Sequence, residues 1–124
     1  MREIKFRAWD KENKKMMKVS SLSLENKEIA VRENRTYHFF RMKNLELMQY
    51  TGLKDKNDKE IYEGDIVVLN NIENDNMCIV RYEHSSYRLE GWSLREDLSN
   101  VEDRFLEVVG NIYESKNLLE ENNW

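Results

Sequence analysis

A chain of 124 residues with 40% hydrophobic and 35% charged content can build one modest core under a heavily solvated surface. Its net charge of −4 counts against sequence-blind phosphate binding, which needs a basic surface, although a local basic patch stays open. A single cysteine, Cys78, excludes an internal disulfide and points to a reducing, cytoplasmic compartment. No stretch approaches the roughly 20 apolar residues of a membrane helix, and the N-terminus lacks a signal-peptide core.

Proline is absent and there are only four glycines, so Asn, Asp, Ser and Lys must make most of the turns. Ile4, Phe6 and Ala8 alternate with Lys5, Arg7 and Trp9, and Met16–Val19 returns after the polar Asp10–Lys15. Met1–Val19 therefore reads as a hairpin. Ser20–Glu25 alternates Ser with Leu, Asn26-Lys27-Glu28 turns, and Ile29–Val31 opens another strand. After a loop at Asn34–Thr36, Tyr37–Met42 (YHFFRM) is dense in aromatics and reads as a strand covered on both faces. Leu45–Tyr50 alternates as a strand approaching Gly52.

Tyr50–Leu69 organises the rest. Gly52 can take φ > 0 without a Cβ clash. Asp55-Lys56-Asn57-Asp58-Lys59 is a charged turn with nothing apolar to bury, similar to Asp10–Lys14. The Glu63-Gly64-Asp65 corner feeds Ile66–Leu69, the most apolar run and the expected central strand. Asp65 is expected to accept backbone N–H groups across that corner.

Beyond it, Asn70–Asn76 is a loop, Met77–Tyr82 a strand, His84–Ser86 a turn and Tyr87–Leu94 another strand. Arg95–Asp103 is expected to be a loop or a single helical turn. Phe105–Tyr113 is the closing strand, with Gly110 a bulge or a barrel bend, and Ser115 precedes a short C-terminal helix carrying Leu118 and Leu119. The resulting expectation is a mainly β chain: a small SH3-like barrel in the C-terminal half, an N-terminal β meander and a short C-terminal helix. Residues 1–124 would form a single domain, with a subdivision into 1–50 and 51–124. Gly52, Gly64, Asp65 and Gly110 are its structural turn residues.

Four blocks carry a resemblance to a known family. They are Lys5–Asp10 (KFRAWD), Tyr50–Asn57 (YTGLKDKN), Ile61–Val67 (IYEGDIV) and Gly110–Glu114 (GNIYE). In this order and spacing they resemble the YopX family of phage and prophage proteins. Asp58 stands where the family pattern usually has Gly, which weakens a simple type I′ turn there. Ser20–Asn44 and Asn70–Arg104 lie outside the matching blocks. The resemblance implies a small, mainly β, phage-encoded cytoplasmic protein open to self-association. It implies no activity and carries over no functional residue.

The candidate chemistry is thin. Asp55, Asn57 and Lys59 begin like a calcium loop, but Lys59 occupies a ligand position and Glu60 stands where Gly is required. His38, His84 and Cys78 match no zinc spacing. Cys78 lies in an apolar strand, where desolvation disfavours the thiolate. Glu63 and Asp65 flank a glycine corner and read as structural, and the dispersed glycines make no phosphate loop. No catalytic residue, metal ligand or cofactor is therefore expected.

A binding surface has more to recommend it, because Arg81, Tyr82, Tyr87, Arg88, Trp92 and Arg95 interleave basic and aromatic side chains. Glu83, Glu90 and Glu96 oppose the field that nucleic acid would need. The leading expectation is an accessory protein acting by protein–protein contact, a homo-oligomer with a host or phage partner. The alternative is a single-stranded nucleic-acid-binding barrel using this surface. A carboxylate hydrolase using Mg²⁺ is weaker still.

Overall fold

The computed structural model describes residues 3–74, 76–91 and 94–121. The chain divides into two compact units, Met1–Gln49 and Tyr50–Trp124. Each has its own buried cluster.

In the first unit, β1 (Phe6–Asp10) and β2 (Lys15–Lys18) form the expected hairpin, with Ala8 opposite Met17 and Asp10 opposite Lys15. Asp10 fixes the turn: its Oδ1 accepts from the N–H groups of Glu12 (3.0 Å) and Asn13 (3.2 Å), and its Oδ2 from the Asn13 side-chain amide (2.8 Å). The first half of β6 (Leu45–Lys54) returns antiparallel to β1. Between them the chain builds a second sheet of β3 (Ser21–Ser23), β4 (Glu28–Glu33) and β5 (Thr36–Arg41), in that order. Asn34 and Arg35 join β4 to β5 with φ of 49° and 68°, the left-handed pair that suits a two-residue hairpin. The meander thus doubles over. Ala8, Met17 and Leu45 from one sheet pack with Ile29 and Val31 from the other, and Leu22 and Phe40 close the cluster.

The strand at Tyr37–Met42 is present, but it is not covered on both faces. Tyr37 and Phe39 are 52% and 68% exposed. Among the described residues β5 is an edge strand with β4 as its one partner. Phe40 lies opposite Ile29 and faces the core, so the period-2 alternation turns Tyr37 and Phe39 to the outer face.

In the second unit, β8 (Asp65–Leu69) lies inside a five-stranded antiparallel sheet. Its order is β11 (Arg95–Asp97), β10 (Ser86–Gly91), β9 (Met77–Glu83), β8, β12 (Leu106–Asn111), and it curls into a half-barrel. Val67, Leu69, Cys78, Val80, Leu89 and Leu106 point inward, joined by Ile61 of β7 (Glu60–Tyr62) and by Leu98. All eight are at most 2% exposed, so the mainly β expectation holds and this is its principal core. Arg95–Asp97 is a strand rather than loop. It is wholly polar and ordered by pairing with β10, with Arg95 opposite Glu90. Leu98–Asn100 and Asp103–Phe105 are single 3₁₀ turns.

The glycine corner is laced on three sides. Gly64 has φ 83°. Its N–H donates to the Val80 carbonyl (2.8 Å), and its own carbonyl accepts from Ile112 (2.9 Å). Buried Asp65 accepts the Tyr62 N–H at 2.7 Å. Upstream, Gly52 takes φ 88° within the register shift between Tyr50 and Lys54, where the second half of β6 pairs with β7. A β-bulge falls between Val108 and Gly110. A Cβ on Gly110 would lie 2.3 Å from Ser115 Oγ and 2.7 Å from its Cβ, so glycine is kept there by close approach. Ser115 leads into α1 (Lys116–Glu121).

Candidate functional site

The sequence-predicted surface divides between two faces of one sheet. Across β9 and β10, Tyr82 lies opposite Tyr87 and Arg81 opposite Arg88. Tyr82 and Tyr87 share the face of Val80 and Leu89, and Tyr87 packs on the core while contacting Tyr82 edge-on at 4.9 Å. Arg81, Arg88 and Arg95 stand on the other face. There Glu90 Oε2 lies 3.9 Å from Arg81 Nε, and Asp97 lies across from Arg88. Trp92 lies outside the described residues. The arrangement brings these cations to carboxylates and separates them from the tyrosines.

The carboxylates and the cysteine with chemical potential are placed for structure. Buried Asp55 Oδ1 accepts from the N–H groups of Asn57 and Lys59, both at 2.9 Å, and Oδ2 from Val108, also at 2.9 Å. Burial pushes this carboxyl up, but the three N–H donors outweigh it and hold it below the usual range. Asp58 supplies the left-handed residue of the turn, φ 64°, where the family pattern has Gly. Asp10 is likewise lowered, chiefly by the Asn13 side chain. Cys78 is fully buried, and desolvation raises its thiol to about 11. Among the described residues no three His, Cys, Asp or Glu side chains are placed to share a metal ion. His38 lines a cavity of about 190 Å³ beside Glu33, whose carboxylate is held by Lys15.

The feature that sequence reading missed is the outer edge of β5. Phe39, Phe40 and Met42 line a cavity of about 520 Å³ with the cations Lys27, Arg41 and Lys43 and one acid, Glu28. Nearby, the Arg32 guanidinium sits 5.8 Å above the Tyr37 ring. The second unit has a counterpart of opposite charge. A cavity of about 260 Å³ has an apolar lining that includes Leu94, Val101 and Phe105, and its two charged residues are Glu96 and Glu102. The contrast extends to whole units. Residues 1–49 hold twelve Lys and Arg against seven Asp and Glu, net +5, and residues 50–124 hold eight against seventeen, net −9. This asymmetry was legible in the sequence, but the whole-chain charge of −4 averages it away.

The fold defines a small antiparallel β protein with, among its described residues, no clustered metal ligands. The family model described as YopX protein matches residues 5–120, and the chain belongs to that family. Two solved structures share the fold. A crystal structure of protein EF1440 from Enterococcus faecalis is 29% identical, with a TM-score of 0.71, over 96% of this chain and 99% of that one. The crystal structure of protein yopX from Bacillus subtilis is 22% identical, with a TM-score of 0.65, over the same shares of the two chains. No curated protein matches. No helix among the described residues is long and apolar enough to cross a membrane.

Proposed function

We propose that this chain is a phage- or prophage-encoded accessory protein of the bacterial cytoplasm that works by protein–protein contact, its own copies included, and catalyses no reaction. In this reading the half-barrel of the second unit is an SH3-like scaffold. The observation that carries the reading is the pairing of opposite charge with exposed aromatics. A unit of net +5 presents Tyr37 and Phe39 on an open sheet edge, and the other unit of the same chain is net −9. Exposed aromatics on an unpaired edge are what a contact surface uses and what a solitary β protein normally covers. A host or phage protein with an acidic, apolar surface would suit the same edge.

The alternative of single-stranded nucleic acid bound at Arg81, Tyr87, Arg88, Trp92 and Arg95 draws less support. Base stacking needs aromatic faces and cations on one side of the sheet, and here Tyr82 and Tyr87 stand on the side opposite Arg81, Arg88 and Arg95. Size-exclusion chromatography with light scattering at low salt tests the reading. Particles larger than 15.1 kDa are expected. A monomer that also captures no protein partner from host cells would contradict it.

A further inference from the structure

We infer that the aromatic edge of β5 in one copy docks into the acidic cavity of the second unit in another copy, so that the chain assembles head to tail. The inference rests on the self-association proposed above and specifies its geometry. The projecting side is Phe39, 68% exposed, flanked along β5 by Tyr37 and Arg41 and bordered by Lys27 and Lys43. The receiving side is the cavity of about 260 Å³ whose apolar lining includes Leu94, Val101 and Phe105. Roughly 150 Å³ suffices for one benzene-sized ring, so the volume is large enough for one phenyl side chain.

The charges match the shapes. Glu96 and Glu102 border the cavity. The Glu96 carboxyl is lowered below its ordinary value, first by its bond from the Asn100 side chain and then by the Asp97 N–H. Glu102 bonds Arg104 at 2.8 Å, but both side chains are about two-thirds exposed. An exposed pair of this kind is weak and can be exchanged for an incoming arginine. Antiparallel pairing of two β5 edges would instead bring Arg41 at the end of one strand near Arg35 at the start of the other, a like-charge arrangement that disfavours a symmetric dimer through this strand. Docking different patches leaves one free edge and one free cavity at the ends of any open assembly. Such a contact grows until it closes into a ring, or continues as a filament.

The test uses two full-length variants and light scattering. The edge variant is Phe39→Ser with Arg41→Gln, and the cavity variant is Glu96→Lys with Glu102→Lys. Thermal melts and far-ultraviolet circular dichroism first establish that each is folded, and the single changes Phe39→Ser and Glu102→Gln stand in for a variant that is not. Each variant alone should be monomeric, because each lacks one half of the contact. Mixed in equal amounts they should form a discrete heterodimer, since the intact edge of one meets the intact cavity of the other and nothing remains to extend it. A wild-type chain that is itself monomeric defeats the proposed self-association as a whole. A wild-type chain that assembles while the mixture stays monomeric, or while either variant assembles normally, defeats only the head-to-tail geometry. Fluorescein-labelled oligothymidylate bound by the wild-type chain and the cavity variant, but not by the edge variant, would assign the β5 edge to nucleic acid and overturn the inference.

Discussion

The two units use nearly the same hairpin device to different ends. At Asp10 the carboxylate gathers Glu12 and Asn13, all within one turn. At Asp55 it gathers Asn57 and Lys59 and then reaches Val108, 53 residues away on the closing strand. The first turn only shapes itself, whereas the second also fastens a loop to the far edge of the sheet. The surfaces differ in the same sense. The second unit seals eight side chains under its curled sheet and carries the acids, whereas the first leaves Tyr37 and Phe39 outside on an edge among cations. Here the two kinds of surface sit on one chain with opposite charge.

The largest effect that sharpens this comparison should come from Asp55. Asp55→Ala leaves the Val108 N–H without its carboxylate and removes two further charged hydrogen bonds. The expected loss is about 3 kcal/mol in urea unfolding followed by tryptophan fluorescence. Asp10→Ala removes bonds within one turn only and should cost about 1 kcal/mol. The reverse order would break the comparison. Next comes Gly110→Ala, expected to cost about 2 kcal/mol because its Cβ collides with Ser115 Oγ and Cβ. Adding Ser115→Gly should return part of that loss, and no return would mean that the bulge, not the close approach, selects glycine. The acid response should be smaller. Asp10 and Asp55 both titrate below their ordinary range in the folded chain, so the unfolded chain binds more protons. Their stabilisation is therefore present above about pH 4, and is lost as pH falls through the lower folded values. Urea midpoints should fall below about pH 4, with a shallower fall in Asp55→Asn. An unchanged slope would contradict the assigned role.

Much of the fold was legible because its signals are local. Alternation gave the first hairpin, and the Glu63-Gly64-Asp65 corner announced the strand it feeds. The bulge at Gly110 was legible too, but its cause was not, because Ser115 meets it only through the turn that follows. β11 was missed because Arg, Glu and Asp have no strand signature, and only the partner β10 makes Arg95–Asp97 a strand. The aromatic run at Tyr37–Phe40 was read as covered because aromatic density reports what wants burial, not whether a second layer arrives to supply it. The candidate surface was sought in the second unit for a similar reason. Interleaved Arg and Tyr in sequence become opposite faces in a strand, so adjacency along the chain separated the very groups it appeared to join.

Sedimentation velocity of the wild-type chain and of Phe39→Asp, across rising ionic strength, tests the central claim most directly. Complementary charge around an apolar contact predicts wild-type assemblies near 0.05 M salt that dissociate towards about 0.5 M, and a variant that sediments as a monomer throughout. Equal sedimentation of the two proteins at every salt concentration would contradict the account.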